Sequence, residues 1–153
     1  MDEALKEAAL AAAQGEVPAG AVLADPEGRL AGRGRNQVLT LADPTAHAEI
    51  LAIRAAARAA GNYRLPGHIL VSTLEPCPMC LMAAVHARLG QVIFGAFEPR
   101  WGAAGSLVNL AGLAGLNHYP LVRGGLMAEA GRELITSFFL ARRRGKQPAG
   151  GLE

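Results

Sequence analysis

Two short runs of this sequence hold side chains whose types and spacing can do chemistry: His47-Ala48-Glu49 and Pro76-Cys77-Pro78-Met79-Cys80. Cysteines three positions apart share one face of a helical turn, and a helix N-terminus lowers the cost of holding thiolates there. Alone, Cys-x-x-Cys fits a redox dithiol, half of a structural zinc site or part of a catalytic one. Adding the imidazole of His47 makes a three-ligand zinc set and leaves the fourth tetrahedral position to water, as in catalytic sites; a fourth protein ligand would close it. Two thiolates and an imidazole suit zinc better than iron. Zinc lowers the pKa of a coordinated water to about 7, so a hydroxide is available at neutral pH. Glu49 stands two residues beyond His47, near enough to shuttle that proton without competing for the metal.

The order His-x-Glu followed by Pro-Cys-x-x-Cys is the signature of zinc enzymes that remove an amino group from a nucleobase, with the glutamate as acid and base and not as ligand. The two runs together, separated by a helix, a loop and a strand over residues 50 to 76, are far more specific than either alone. The remaining histidines read differently. His68 begins a strand, His86 lies inside a helix, and His118 sits in a loop as a candidate substrate contact.

The elements that must position these groups follow from periodicity and punctuation. Asp2 to Gln14 has helical spacing and stops at Gly15. Ala19 to Ala24 and Arg29 to Asn36 read as a hairpin around Asp25-Pro26-Glu27-Gly28. A helix is expected from about Ala46 to Ala60, a buried strand over Ile69 to Leu74, a helix from Pro78 to about Arg88 and a second buried strand over Gln91 to Ala96. Strand, helix and strand in that order form a crossover unit. Gly102 to Gly115 reads as a loop, Leu121 to Arg123 as a short strand, and Leu126 to Arg144 as the final helix. The sum is an α/β chain of three layers, α/β/α, around a mixed five-stranded sheet. Its domain covers residues 1–145, and the Pro- and Gly-containing tail 146–153 is expected to be mobile.

Composition sets the remaining bounds. With 153 residues, 51% apolar and 18% charged, the chain can bury a core and is not a disordered segment. No apolar run is long enough to cross a bilayer, and the start Met1-Asp2-Glu3-Ala4 does not resemble a secretory signal, so a cytoplasmic location is expected. Its two cysteines are too close in sequence to staple a fold. The net charge of +2 does not imply nucleic-acid binding. The crowding of Arg142, Arg143, Arg144 and Lys146 fits either a solvated helix end, where cations favour the dipole, or a local basic patch.

Beyond the zinc motif the chain resembles the bacterial tRNA-specific adenosine deaminases over about residues 4 to 144. The shared blocks include Glu16 to Val22, Asn36, Asp43 to Glu49, Asn62-Tyr63-Arg64-Leu65, Thr73 to Cys77 and Val92 to Ala96. Gly102 to Ser106, Asn117-His118 and Ser137-Phe138-Phe139 resemble the tRNA enzymes in particular, since cytidine and guanine deaminases share the zinc motif. The resemblance implies a cytidine-deaminase-like fold with one Zn2+ per subunit, assembled as a homodimer. It implies as partner the anticodon stem-loop of an arginine tRNA with an ACG anticodon, whose wobble adenosine is flipped into the zinc pocket and converted to inosine. A base in such a loop is already unpaired, so extruding it costs less than opening a duplex.

The resemblance also turns two ambiguous residues toward substrate. Asn36 either caps the loop after a strand or reads a purine edge, and Val17 either joins the core or packs on the ring. Ala48 and Phe139 belong to the same implied contact set. The loop Phe97 to Gly102 would frame the entrance, with Trp101 stacking on a base, Arg100 on phosphate and Glu98 near the backbone. Arg142 and Arg143 would meet the RNA backbone. In this loop the chain departs from the family pattern of an aspartate followed two residues on by a lysine. It has Glu98 and Arg100, and Trp101 stands where a small polar residue is usual. Two rivals are a salvage deaminase of a free base or nucleoside and a non-catalytic RNA-binding subunit with a structural zinc. Glu49 argues against the second, because a structural site needs no such carboxylate.

Overall fold

The computed structural model describes residues 1–145, so the tail expected over 146–153 lies outside the described residues. Helix α1 (Asp2–Ala13) leads into strands β1 (Gly20–Ala24) and β2 (Leu30–Arg35), followed by a single turn of helix, α2 (Val38–Leu41). Then come α3 (Ala48–Ala60), β3 (Ile69–Leu74), α4 (Pro78–His86), β4 (Gln91–Ala96), β5 (Leu121–Arg123) and α5 (Ala128–Gly145). The strands form one mixed sheet in the order β2-β1-β3-β4-β5. β1 is antiparallel to both β2 and β3, whereas β3, β4 and β5 run parallel. Helices α3 and α4 cover one face and α1 and α5 the other, the expected three layers.

The core between the sheet and α3–α4 holds Ala21, Leu23, Leu70 and Val92 against Ala52, Ile53, Ala56, Leu81 and Ala84. Small residues let α3 lie close on the hairpin. A Cβ added at Gly32 would stand 2.4 Å from the Ala52 carbonyl oxygen, and one at Gly34 would stand 2.1 Å from that of Ala48. Only glycine permits this approach, and it clamps the first turn of α3, which carries Ala48 and Glu49.

Several boundaries differ from the sequence reading. α3 starts at Ala48 and not Ala46, because His47 is its extended N-cap at φ −72° and ψ 153°. α4 ends at His86, two residues before the expected Arg88, which takes a left-handed φ of 60°. α5 begins at Ala128 and not Leu126, after Met127 at φ 53°. α2 was absent from the expected elements; it closes on Ala42 at φ 49°. These left-handed residues are not glycine, so nothing in the sequence marks them as stops. Among the described residues, no helix is long and apolar enough to cross a membrane.

Candidate active site

The N-termini of α3 and α4 meet at the carboxyl end of β3, bringing the two chemical runs together. Cys77 is the N-cap of α4, extended at φ −71° and ψ 171°, with Pro78 opening the helix and Cys80 in its first turn. Proline at this position loses no helical hydrogen bond and its fixed φ suits the start. The Sγ atoms of Cys77 and Cys80 lie 3.7 and 3.5 Å from His47 Nδ1. With zinc bonds of about 2.3 Å to sulfur and 2.0–2.1 Å to nitrogen, a tetrahedral S···N edge is about 3.6 Å. All three donor atoms lie within 4.8 Å of one another, so the residues present fit a zinc ion.

Electrostatics agree with that fit. A hydrogen bond from Cys80, assisted by His47, draws the Cys77 thiol down to about 4 against the opposing effect of burial. Cys80 is pushed up by giving that hydrogen bond and by its burial. His47 is raised chiefly by its hydrogen bond to Cys77. A divalent cation bound by these three groups would favour the thiolate form of both cysteines.

Glu49 is 6% exposed, and burial lifts its carboxyl above the usual range. Its Oε2 lies 3.5 Å from Cys80 Sγ, and its Oε1 lies 3.3 Å from the Ser72 hydroxyl, which also donates to the Leu74 carbonyl. A hydroxyl has one proton to give. The Ser72 hydroxyl therefore serves Glu49 Oε1 or the closer Leu74 carbonyl, one at a time. Glu49 is thus beside the metal ligands and held by a separate partner, the position of a proton carrier.

A cavity of about 740 Å³ opens onto these groups, lined by His47, Glu49 and Cys77 together with Val17, Asn36, Glu98, Trp101 and Arg142. A second hollow, sharing Glu98 and Arg142, is lined by Arg100, Phe139 and Arg143. The structure thus gathers most of the residues singled out from the sequence around one opening. Ala48 is buried at the start of α3 and is not among the lining residues. His118 lines neither hollow; its Nε2 sits 2.6 Å from the Leu89 carbonyl oxygen.

Two carboxylates in this region were not singled out from the sequence. Glu16 is buried in the cavity wall. Glu75, 3% exposed, accepts from the backbone N–H groups of Glu98, Ala104 and Ser106, and from the Ser106 hydroxyl. Burial alone would raise the Glu75 carboxyl, but these donors outweigh it and hold the group low. A Cβ at Gly102 would come within 2.3 Å of Glu75 Cδ, so the loop carrying Glu98, Arg100 and Trp101 is wrapped around this side chain. The only sequence signal for either residue is an acidic side chain set in an apolar run.

Residues 1–96 match the family of the cytidine and deoxycytidylate deaminase zinc-binding region. The tRNA-specific adenosine deaminase of Bacillus subtilis (strain 168) is 43% identical over 149 residues, covering 97% of this chain and 92% of that protein. The tRNA(Ile)-lysidine synthase of Deinococcus deserti is 47% identical over 150 residues, covering 97% of this chain and 28% of that longer protein. A solved structure from work on A-to-I editing by tRNA:A34 deaminases at the wobble position of transfer RNA aligns with a TM-score of 0.85 and 43% identity, covering 88% of this chain and 96% of that one. Zinc binding is therefore a property of the family as well as of the donor set His47, Cys77 and Cys80, and the chain belongs to the cytidine and deoxycytidylate deaminase zinc-binding family and, within it, to the tRNA-specific adenosine deaminases.

Proposed function

We propose that this protein hydrolyses adenosine to inosine at the wobble position of an arginine tRNA with an ACG anticodon, releasing ammonia. The observation that carries the reading is the placement of Glu49 beside the His47, Cys77 and Cys80 donors in a cavity that also presents Asn36. Zinc held by His47 Nδ1 and the two thiolates supplies a hydrolytic nucleophile at neutral pH. Glu49 accepts the proton of the attacking water and delivers it to N1 of adenine as the new bond forms at C6. It then carries a proton to the departing amine, so that adenosine and water become inosine and ammonia. Val17 and Asn36 hold the flipped base, the first by packing on the ring and the second through its amide.

The rim supports a nucleic-acid substrate over a free base. Trp101 is 67% exposed at the cavity mouth, where a ring can stack on an unpaired base. Arg142 lies over the Phe138 ring, with Arg100 and Arg143 lining the adjoining hollow. Exposed Leu107, Val108, Leu113 and Tyr119 crowd the segment before β5, which fits the proposed homodimer. The tRNA substrate places the enzyme in the cytoplasm. Incubation of the zinc-loaded protein with the anticodon stem-loop, and separately with free adenosine, cytidine and guanine, tests the reading. Inosine in the stem-loop alone is expected; turnover of a free base without editing would assign the site to salvage.

A further inference from the structure

We infer that Glu16 is a positioning residue that sets which end of the Asn36 amide faces the substrate base, an inference that rests on the adenosine reading above. Glu16 is 1% exposed, and among the described residues it has no cationic partner. Its carboxylate is committed on both oxygens. Oε1 accepts from the Thr40 backbone N–H at 2.7 Å, and Oε2 accepts from Asn36 Nδ2 at 3.1 Å. A carboxylate only accepts, so the atom of Asn36 that faces it must be the amide nitrogen. Oδ1 then has no protein partner among the described residues, yet it is not a sealed unpaired atom, so it opens to the cavity that Asn36 lines. The same carboxylate fixes the turn of α2, whose Val38 and Leu39 line that wall. Twenty residues of chain separation are bridged by one buried side chain that points an acceptor at the base.

The consequence is that the group Asn36 offers the base is set one residue behind the contact. Glu16→Gln keeps the shape but turns one acceptor into a donor. The shorter bond, to the Thr40 N–H, claims the remaining oxygen, so the new amide nitrogen faces Asn36 and forces its amide to turn over. The cavity then meets a donor where it had an acceptor. A site built for a hydrogen bond strongly rejects a group that leaves it unpaired.

Two measurements test this on the zinc-loaded protein. In 15N-resolved NMR, the Asn36 side-chain amide should show one carboxylate-bonded proton, shifted downfield and slow to exchange, which disappears in Glu16→Gln. An Asn36 amide with the shifts of a solvent-exposed side chain in the unmodified protein would overturn the inference whatever the enzyme acts on. In parallel, kcat/KM is measured on stem-loops carrying adenosine or cytidine at the wobble position. Glu16→Gln should lower kcat/KM on the adenosine stem-loop by about ten- to a hundredfold, with zinc content unchanged. The same substitution should add nothing in an Asn36→Ala background. An equal further loss in that background means Glu16 acts independently of Asn36, and the inference falls. If the unmodified protein edits neither stem-loop while the NMR signature is present, the functional reading fails and the positioning geometry stands.

Discussion

In the proposed reaction Glu49 is the side chain on which the chemistry turns, because it lies beside the metal ligands without being one of them. Glu49→Gln should retain a full equivalent of zinc and lose deamination by at least about 10²- to 10⁴-fold. Metal analysis and single-turnover assays on the same preparation check it, and retained turnover would remove the proton-carrier role. These four residues were legible in the sequence because zinc chemistry fixes both residue type and spacing: His47 and Glu49 two apart, Cys77 and Cys80 three apart. Glu16 and Glu75 were not. Their partners lie 20 to 31 positions away, and a carboxylate that organises backbone N–H groups has no local spacing to betray it. His118 has a protein partner the sequence did not signal, the Leu89 carbonyl 2.6 Å from its Nε2, and its expected substrate contact remains a proposal.

At the scale of elements, two helix N-termini do the positioning, and the glycines of β2 set how closely α3 can lie. Gly34→Ala places a methyl where only 2.1 Å separates it from the Ala48 carbonyl oxygen, so α3 must move outward. The expected cost is about 1–3 kcal/mol of stability, with weaker zinc binding because His47 caps the displaced helix. Denaturant unfolding and a zinc-competition titration would detect both, and unchanged values would show that α3 is not held through this contact. The crossover from β3 through α4 to β4 was readable because Pro76, Pro78 and Gly90 punctuate it and each strand carries a short apolar run, Ile69 to Val71 and Val92 to Phe94. Two misread ends lie beside left-handed Arg88 and Met127, the unexpected α2 closes on left-handed Ala42, and α3 starts late because His47 is an extended N-cap. None of these residues is glycine or proline, so the local sequence does not punctuate those ends.

For the whole molecule, a zinc ion held by His47, Cys77 and Cys80 cross-links α3 to α4. At a thousandfold excess over its dissociation constant, such a ligand adds about 4 kcal/mol, so chelation should lower Tm by on the order of 10 °C. In Cys77→Ala the chelator should have no effect; an equal drop in that variant would place the metal elsewhere. The basic end of α5 was legible only as an alternative between a solvated helix end and a local basic patch. Arg142 and Arg143 line the hollows at the cavity mouth, where the proposed function has them meet RNA. Arg142→Ala with Arg143→Ala should weaken stem-loop binding and reduce the slope of log affinity against log salt by about 0.7–0.9 for each phosphate no longer neutralised. A slope that does not change would make these arginines a solvated helix end. Treating an arginine tRNA bearing an ACG anticodon with the zinc-loaded protein, and sequencing the anticodon, decides most directly whether this chain is a wobble deaminase. Inosine at the wobble position and at no other adenosine is expected, and none with Glu49→Gln; an unedited anticodon alongside turnover of free guanine or cytidine would contradict it.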